Sequence, residues 1–132
     1  MREACELASA TGADLLALHV IHDPGSVPGY YTQALLKKPL LGRIEDSAAA
    51  MLEEFLDRMG KADAKNGSCR KIESILVRGL PATRIVEVAQ QREVKMIIMG
   101  SRGYSGMKRL MVGSVAEHVM RLSPIPVTVV KN

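Results

Sequence analysis

The chain has 132 residues, 47% hydrophobic and 24% charged, with a formal net charge of +4. That length supports one core, so a single domain over residues 1–132 is expected, and no apolar run reaches the length of a bilayer span. With no leader pattern at the start, with three Tyr and one Phe too few for a single-stranded nucleic-acid platform, and with Cys5 and Cys69 lacking ligand-like spacing, a cytoplasmic protein with reduced thiols is expected, without a membrane, specific nucleic-acid or metal site.

Residues 2–10 read as a helix closed by Thr11-Gly12, and 14–21 as a strand in which Leu15, Leu16, Leu18 and Val20 supply apolar bulk. The segment 23–42 carries Pro24, Gly25, Pro28, Gly29, Pro39 and Gly42 and reads as a long connection, with a short helix around 32–37. Its Tyr30, Tyr31, Leu35 and Leu36 fit either a cover over a ligand or plain surface packing, and the second is favoured. Residues 43–61 form the clearest amphipathic pattern. Ile44, Ala48, Met51, Leu52, Phe55, Leu56 and Met59 make one buried stripe, opposite Asp46, Glu53, Asp57 and Arg58. After an Asn66-Gly67 turn, residues 71–78 read as a strand. The helix that follows has Pro81 near its start and Ile85, Val88 and Ala89 facing inward. Residues 94–99 read as a buried parallel strand. Ser114 and Glu117 have capping-box spacing at the head of a helix over 114–121. The last strand, Ile125 to Val130, contains Pro126, which fits an edge or a strand start. Strand and helix alternate, which favours a parallel α/β sheet.

Between the strand at 94–99 and the helix at 114–121 stands Gly100-Ser101-Arg102-Gly103, then nine residues, then Gly113-Ser114. Strand, glycine-rich loop and helix start in that order suit an anion. Glycines let backbone N–H groups approach closely, and a helix N-terminus carries partial positive charge. No acidic residue lies from Ser101 to Gly113, whereas Arg102, Lys108 and Arg109 are cationic. The pattern is neither a Walker A loop nor a dinucleotide fingerprint. On spacing alone it fits an anion site and an ordinary capped turn about equally.

The same residues resemble the G-x-x-G, nine residues, G-[S/T] motif of the universal stress protein family, in its ATP-binding-motif subgroup. Leu15 to Val20 resembles the family's second strand, Gly79-Leu80-Pro81-Ala82 the turn after its third, and Ile125 to Val130 its last. The resemblance covers essentially the whole chain. It implies a Rossmann-like doubly wound parallel sheet, adenine nucleotide alpha hydrolase-like, in the order 3-2-1-4-5. It implies ATP, or AMP or ADP, with Mg²⁺ carried by the nucleotide. Backbone groups of Gly100, Ser101, Arg102, Gly103, Gly113, Ser114 and Val115 would surround the phosphates. Val20 would meet adenine through its backbone, and Met99 would flank base or ribose. It also implies a homodimer through the C-terminal strand, with Val127 and Val129 at the seam, and a further protein partner that the sequence does not name.

The resemblance departs at the start. Family members open with an apolar strand and an acidic Asp-containing loop, whereas this chain opens on Met1-Arg2-Glu3-Ala4, within the pattern of the first helix. The first strand is therefore expected to be missing, leaving two parallel pairs. No nucleophile–base constellation or paired carboxylates can be assembled near the glycine loop, and Asp23 is the nearest acidic candidate. No catalytic residue is assigned. A nucleotide-binding module is favoured over two alternatives, a non-binding interaction protein of the same fold and a slow ATPase.

Overall fold

The computed structural model describes residues 2–23, 38–66, 71–101 and 112–131. The expected helix at 32–37, the aromatic pair Tyr30 and Tyr31, Gly67 and Cys69 lie outside the described residues. The chain divides into two compact units, Met1–Gly79 and Leu80–Asn132.

The first unit begins with helix α1 (Arg2–Thr11), which buries Ala4, Cys5 and Ala8 on one face. Gly12 takes a positive φ of 71°, and the Ala13 N–H then closes back on the Ala8 carbonyl at 3.0 Å. That is the left-handed helix end that glycine adopts without steric penalty. Strand β1 (Leu15–His22) runs parallel to β2 (Ile72–Gly79), in unbroken register from Leu15↔Ile72 to His22↔Gly79. Each strand lies one residue later than the pattern predicts. At the end of β2, Gly79 has φ 137°, a left-handed value that turns the chain out of the sheet and ends the ladder.

Helix α2 (Lys38–Asn66) departs furthest from expectation. It runs for 29 residues and takes in Pro39 and Gly42, both assigned to the connection on sequence. Pro39 sits in the first turn, where its missing N–H removes no intrahelical bond. Gly42 costs about 1 kcal/mol relative to Ala, a penalty a helix of this length absorbs. Asn66 is the last helical residue, and the expected turn it would make with Gly67 falls outside the described residues. Ala48, Leu52 and Leu56 are half-buried, but Met51 and Phe55 are exposed at 57% and 38%, so the described part of the stripe is covered along one margin only; the side chains of Ile44 and Met59 lie outside the description.

The second unit contains α3 (Pro81–Gln91), β3 (Ile97–Gly100), α4 (Ser114–Leu122) and β4 (Val127–Val130). Strands β3 and β4 pair in parallel, Ile97↔Val127 through Gly100↔Val130. Val86, Ala89, Ile97 and Val119 form the core, with Val94, Met99, Ile125 and Val127 packed against it. Val88 is buried as expected, together with Val86. The helix end accounts for the late start of β3. The Glu93 N–H bonds the Gln90 carbonyl at 3.1 Å and the Val94 N–H the Ala89 carbonyl at 3.1 Å, a Schellman closure that takes Val94 away from the sheet. Strand β4 also starts later than the pattern, at Val127. The Ser123 hydroxyl holds both backbone groups of Ile125, donating to its carbonyl at 2.8 Å and accepting from its N–H at 3.0 Å. Pro126 has no N–H, and its carbonyl accepts from Ile97 at 2.9 Å. The proline therefore stands just before the strand.

The described strands thus form two two-stranded parallel sheets, β1-β2 and β3-β4, the couples that the family order predicts. Among the described residues no helix is long and apolar enough to cross a membrane.

Candidate functional site

The carboxyl end of β3 and the amino end of α4 are joined by two backbone bonds. The Ser101 N–H donates to the Val130 carbonyl at 2.8 Å, and the Gly113 N–H donates to the Ser101 carbonyl at 2.7 Å. Ser101 is buried. Of the residues predicted to surround phosphate, the fold brings together Gly100, Ser101, Gly113, Ser114 and Val115. Arg102 and Gly103 lie outside the described residues, as do Lys108 and Arg109. The N–H groups of Ser101 and Gly113 are engaged within the protein. Their role in the frame is to fix the spacing of the loop ends.

Donors come instead from the first turn of α4. Its first intrahelical bond is from the Glu117 N–H to the Gly113 carbonyl, at 3.0 Å. The N–H groups of Ser114, Val115 and Ala116 therefore have no intrahelical acceptor, and they sit at the positive end of the helix. Gly113 is the N-cap, with φ −64° and ψ 151° and no side-chain cap bond. The capping box expected from Ser114 and Glu117 does not form. Ser114 occupies the first helical position, one residue too late to cap, and Glu117 pairs with Arg121 at 2.8 Å. Any residue can adopt the backbone conformation of Gly113, so torsion does not require a glycine there.

The two predicted base contacts differ in orientation. In β3, the N–H groups of Ile97 and Ser101 point to β4, so by strand alternation Gly100 presents its N–H and carbonyl to the opposite edge. Met99 packs its side chain against the core. In the first unit, Leu15 donates to the Lys71 carbonyl and Asp23 to the Gly79 carbonyl, at 3.0 and 3.2 Å. The same alternation turns the N–H and carbonyl of Val20 and His22 away from β2.

Beside this end of β1 lies a charged pair that sequence reasoning does not single out. The Arg78 Nε donates to the Glu45 carboxylate. That hydrogen bond draws the Glu45 carboxyl below its ordinary value of 4.5 and raises the Arg78 guanidinium, with a smaller contribution from the charge of Asp23. Nothing in the local pattern links residues so far apart in sequence. Val130, whose carbonyl anchors Ser101, is likewise legible only once β3 and β4 are paired.

His118 directs Nδ1 at the Ser114 carbonyl, 2.7 Å away. That contact places the proton on Nδ1, since a carbonyl only accepts. Among the described residues no group of three or more His, Cys, Asp or Glu side chains is placed to hold a metal ion.

Comparison with known proteins agrees with this architecture. The family model described as the universal stress protein family matches residues 1–131. Universal stress protein MJ0531 of Methanocaldococcus jannaschii is 32% identical over 100 residues, which is 71% of this chain; the match spans 59% of that relative's own length. The solved structure of universal stress protein UspA from Lactobacillus plantarum superposes with a TM-score of 0.79 at 27% identity, covering 98% of this chain and 85% of that one. A universal stress protein solved in complex with cAMP gives a TM-score of 0.61 at 26% identity, covering 98% of this chain and 82% of that one. With its parallel strands and alternating helices, the fold is the Rossmann-like doubly wound α/β arrangement, and the chain belongs to the universal stress protein family.

Proposed function

We propose that this chain is a cytoplasmic adenine-nucleotide-binding module of the stress response, taking ATP with Mg²⁺ as its principal ligand. The observation that carries the reading is the set of backbone N–H groups at Ser114, Val115 and Ala116 without intrahelical acceptors, beside the closed junction of Ser101 and Gly113. A triphosphate supplies the acceptor oxygens that such a helix start lacks. Arg102, Lys108 and Arg109, with no acidic residue between Ser101 and Gly113, add favourable charge. Binding of a cyclic adenine nucleotide by a structural neighbour supports the same ligand class. In this reading Val20 meets the base through its outward backbone groups, and Gly100, Arg102 and Gly103 line the phosphate loop. Met99, whose side chain belongs to the core, flanks the base or ribose in this reading.

Nucleotide occupancy would act through a homodimer. Because Pro126 and Val130 direct their carbonyls to β3, Val127 and Val129 present theirs to the outer edge of β4. An apolar edge with unpaired backbone groups pairs readily with its own copy. Calorimetric titration of Mg²⁺-ATP into the folded, nucleotide-free chain tests the proposal. Micromolar binding is expected, and a folded chain that takes up no heat would refute it.

A further inference from the structure

The far end of β1 is closed by one backbone rung to the last residue of β2. The last rung of its ladder, from the Asp23 N–H to the Gly79 carbonyl, is 3.2 Å long, against 3.0 Å at the Leu15 end. At the last residue of the partner strand, Gly79 turns the chain out of the sheet with φ 137°. Val20 and His22 turn their N–H and carbonyl groups to the edge of β1 that no described strand occupies. A backbone edge discriminates a heterocycle only when its groups keep fixed positions, because displacement of about an ångström spoils hydrogen-bond geometry.

Arg78 is placed to supply that fixity. It stands opposite Ile21 in the register, and paired residues share a face of the sheet. Ile21 is buried, so the stem of Arg78 leaves the strand beside a packed side chain. Its guanidinium then donates to Glu45 of α2. Asp23, at the exit of β1, adds a second negative charge that favours the guanidinium. Arg78 thus links β2 to α2 through Glu45 and draws on the charge at the end of β1. The side chains of Arg78 and Glu45 are 43% and 33% accessible, and ion pairs so placed contribute little to global stability. A local effect on the strand end is the larger expectation.

We infer that Arg78 is a positioning residue for base recognition, holding the Val20–Asp23 end of β1 so that the outward backbone groups of Val20 and His22 can read an adenine ring. This role rests on the nucleotide reading above. The test uses the full chain with Arg78→Ala and Arg78→Lys, titrated with Mg²⁺-ATP and, separately, with inorganic tripolyphosphate, which has no base. Amide hydrogen exchange at Ile21 and Asp23 is followed without ligand.

Arg78→Ala is expected to lose about tenfold in ATP affinity, to bind tripolyphosphate as the parent does, and to exchange faster at Asp23. Arg78→Lys keeps the charge but not the fixed Nε geometry and should fall between the two. If the parent binds ATP and Arg78→Ala binds it equally, this role alone is overturned. An equal loss for ATP and tripolyphosphate overturns it too, because the damage is then general. A parent chain that binds neither ligand overturns the nucleotide reading itself.

Discussion

Gly113→Ser separates the two duties that the start of α4 can have. Serine at an N-cap directs its hydroxyl to the N–H of the second or third helical residue, here Val115 or Ala116. Gly113 already has the extended backbone of a cap, φ −64° and ψ 151°, so the substitution adds no torsional strain. Serine surpasses glycine at an N-cap by about 0.3 kcal/mol, which for a chain of this size raises Tm by about 1 °C. The same hydroxyl occupies one of the donors assigned to phosphate. A hydrogen bond to a charged group is worth about 1.5–3 kcal/mol, so ATP affinity should fall roughly 10- to 150-fold. Thermal melts and calorimetry on the same preparation read both effects. Gly113→Ala is the companion: it adds a Cβ without a competing hydroxyl and forfeits about 1 kcal/mol of capping relative to serine. A Gly113→Ser chain that melts at or above the parent and binds ATP within twofold of it would refute the assignment of these N–H groups to phosphate.

Three further outcomes follow from other parts of the structure. Glu93 closes α3 with φ 50°, where a side chain costs about 1–2 kcal/mol; Glu93→Gly should stabilise by about 0.5–1 kcal/mol after the added freedom of the unfolded chain, read from urea denaturation midpoints. Val119 is 0% exposed at the centre of the second unit's core, and Val119→Ala should cost about 2–3 kcal/mol in the same assay. Glu45 has its folded pKa drawn below 4.5 by its hydrogen bond to Arg78. Its contribution is therefore full above pH 4.5 and is lost as pH falls through the lower folded value. Acid melts from pH 6 to 3 should show a shallower decline for Glu45→Gln than for the parent.

Much of this fold is legible locally. The apolar bulk of β1, the Gly79-Leu80-Pro81 turn and the glycine frame each carry their own signal, and α/β alternation follows from them. Where sequence and structure diverge, a competing interaction is identifiable. Proline and glycine at 39 and 42 normally mark a break, yet the first turn tolerates the one and helix length offsets the other. Ser114 and Glu117 have the spacing of a capping box, but the Ser101–Gly113 bond moves the cap one residue earlier. Glu93 carries no glycine-like helix-end signal, so the Schellman closure that shortens β3 is invisible in the pattern. Within the candidate site, glycine spacing locates the frame. It does not show which N–H groups the frame consumes, because Val130 meets Ser101 only through strand pairing.

The bond between Ser101 and Gly113 also bears on how freely the intervening sequence can vary. With those two residues fixed 2.7 Å apart, N to O, the chain from 102 to 112 begins and ends at a closed gate of backbone. Lengthening a closed segment carries a slowly growing entropic penalty, about 0.6 kcal/mol for each doubling. The helix-start donors can therefore stay in place when residues are added between them and Ser101, provided that Arg102 and Gly103, assigned above to the phosphate loop, are kept. In engineering terms this is a grafting socket whose rim is the anion frame itself.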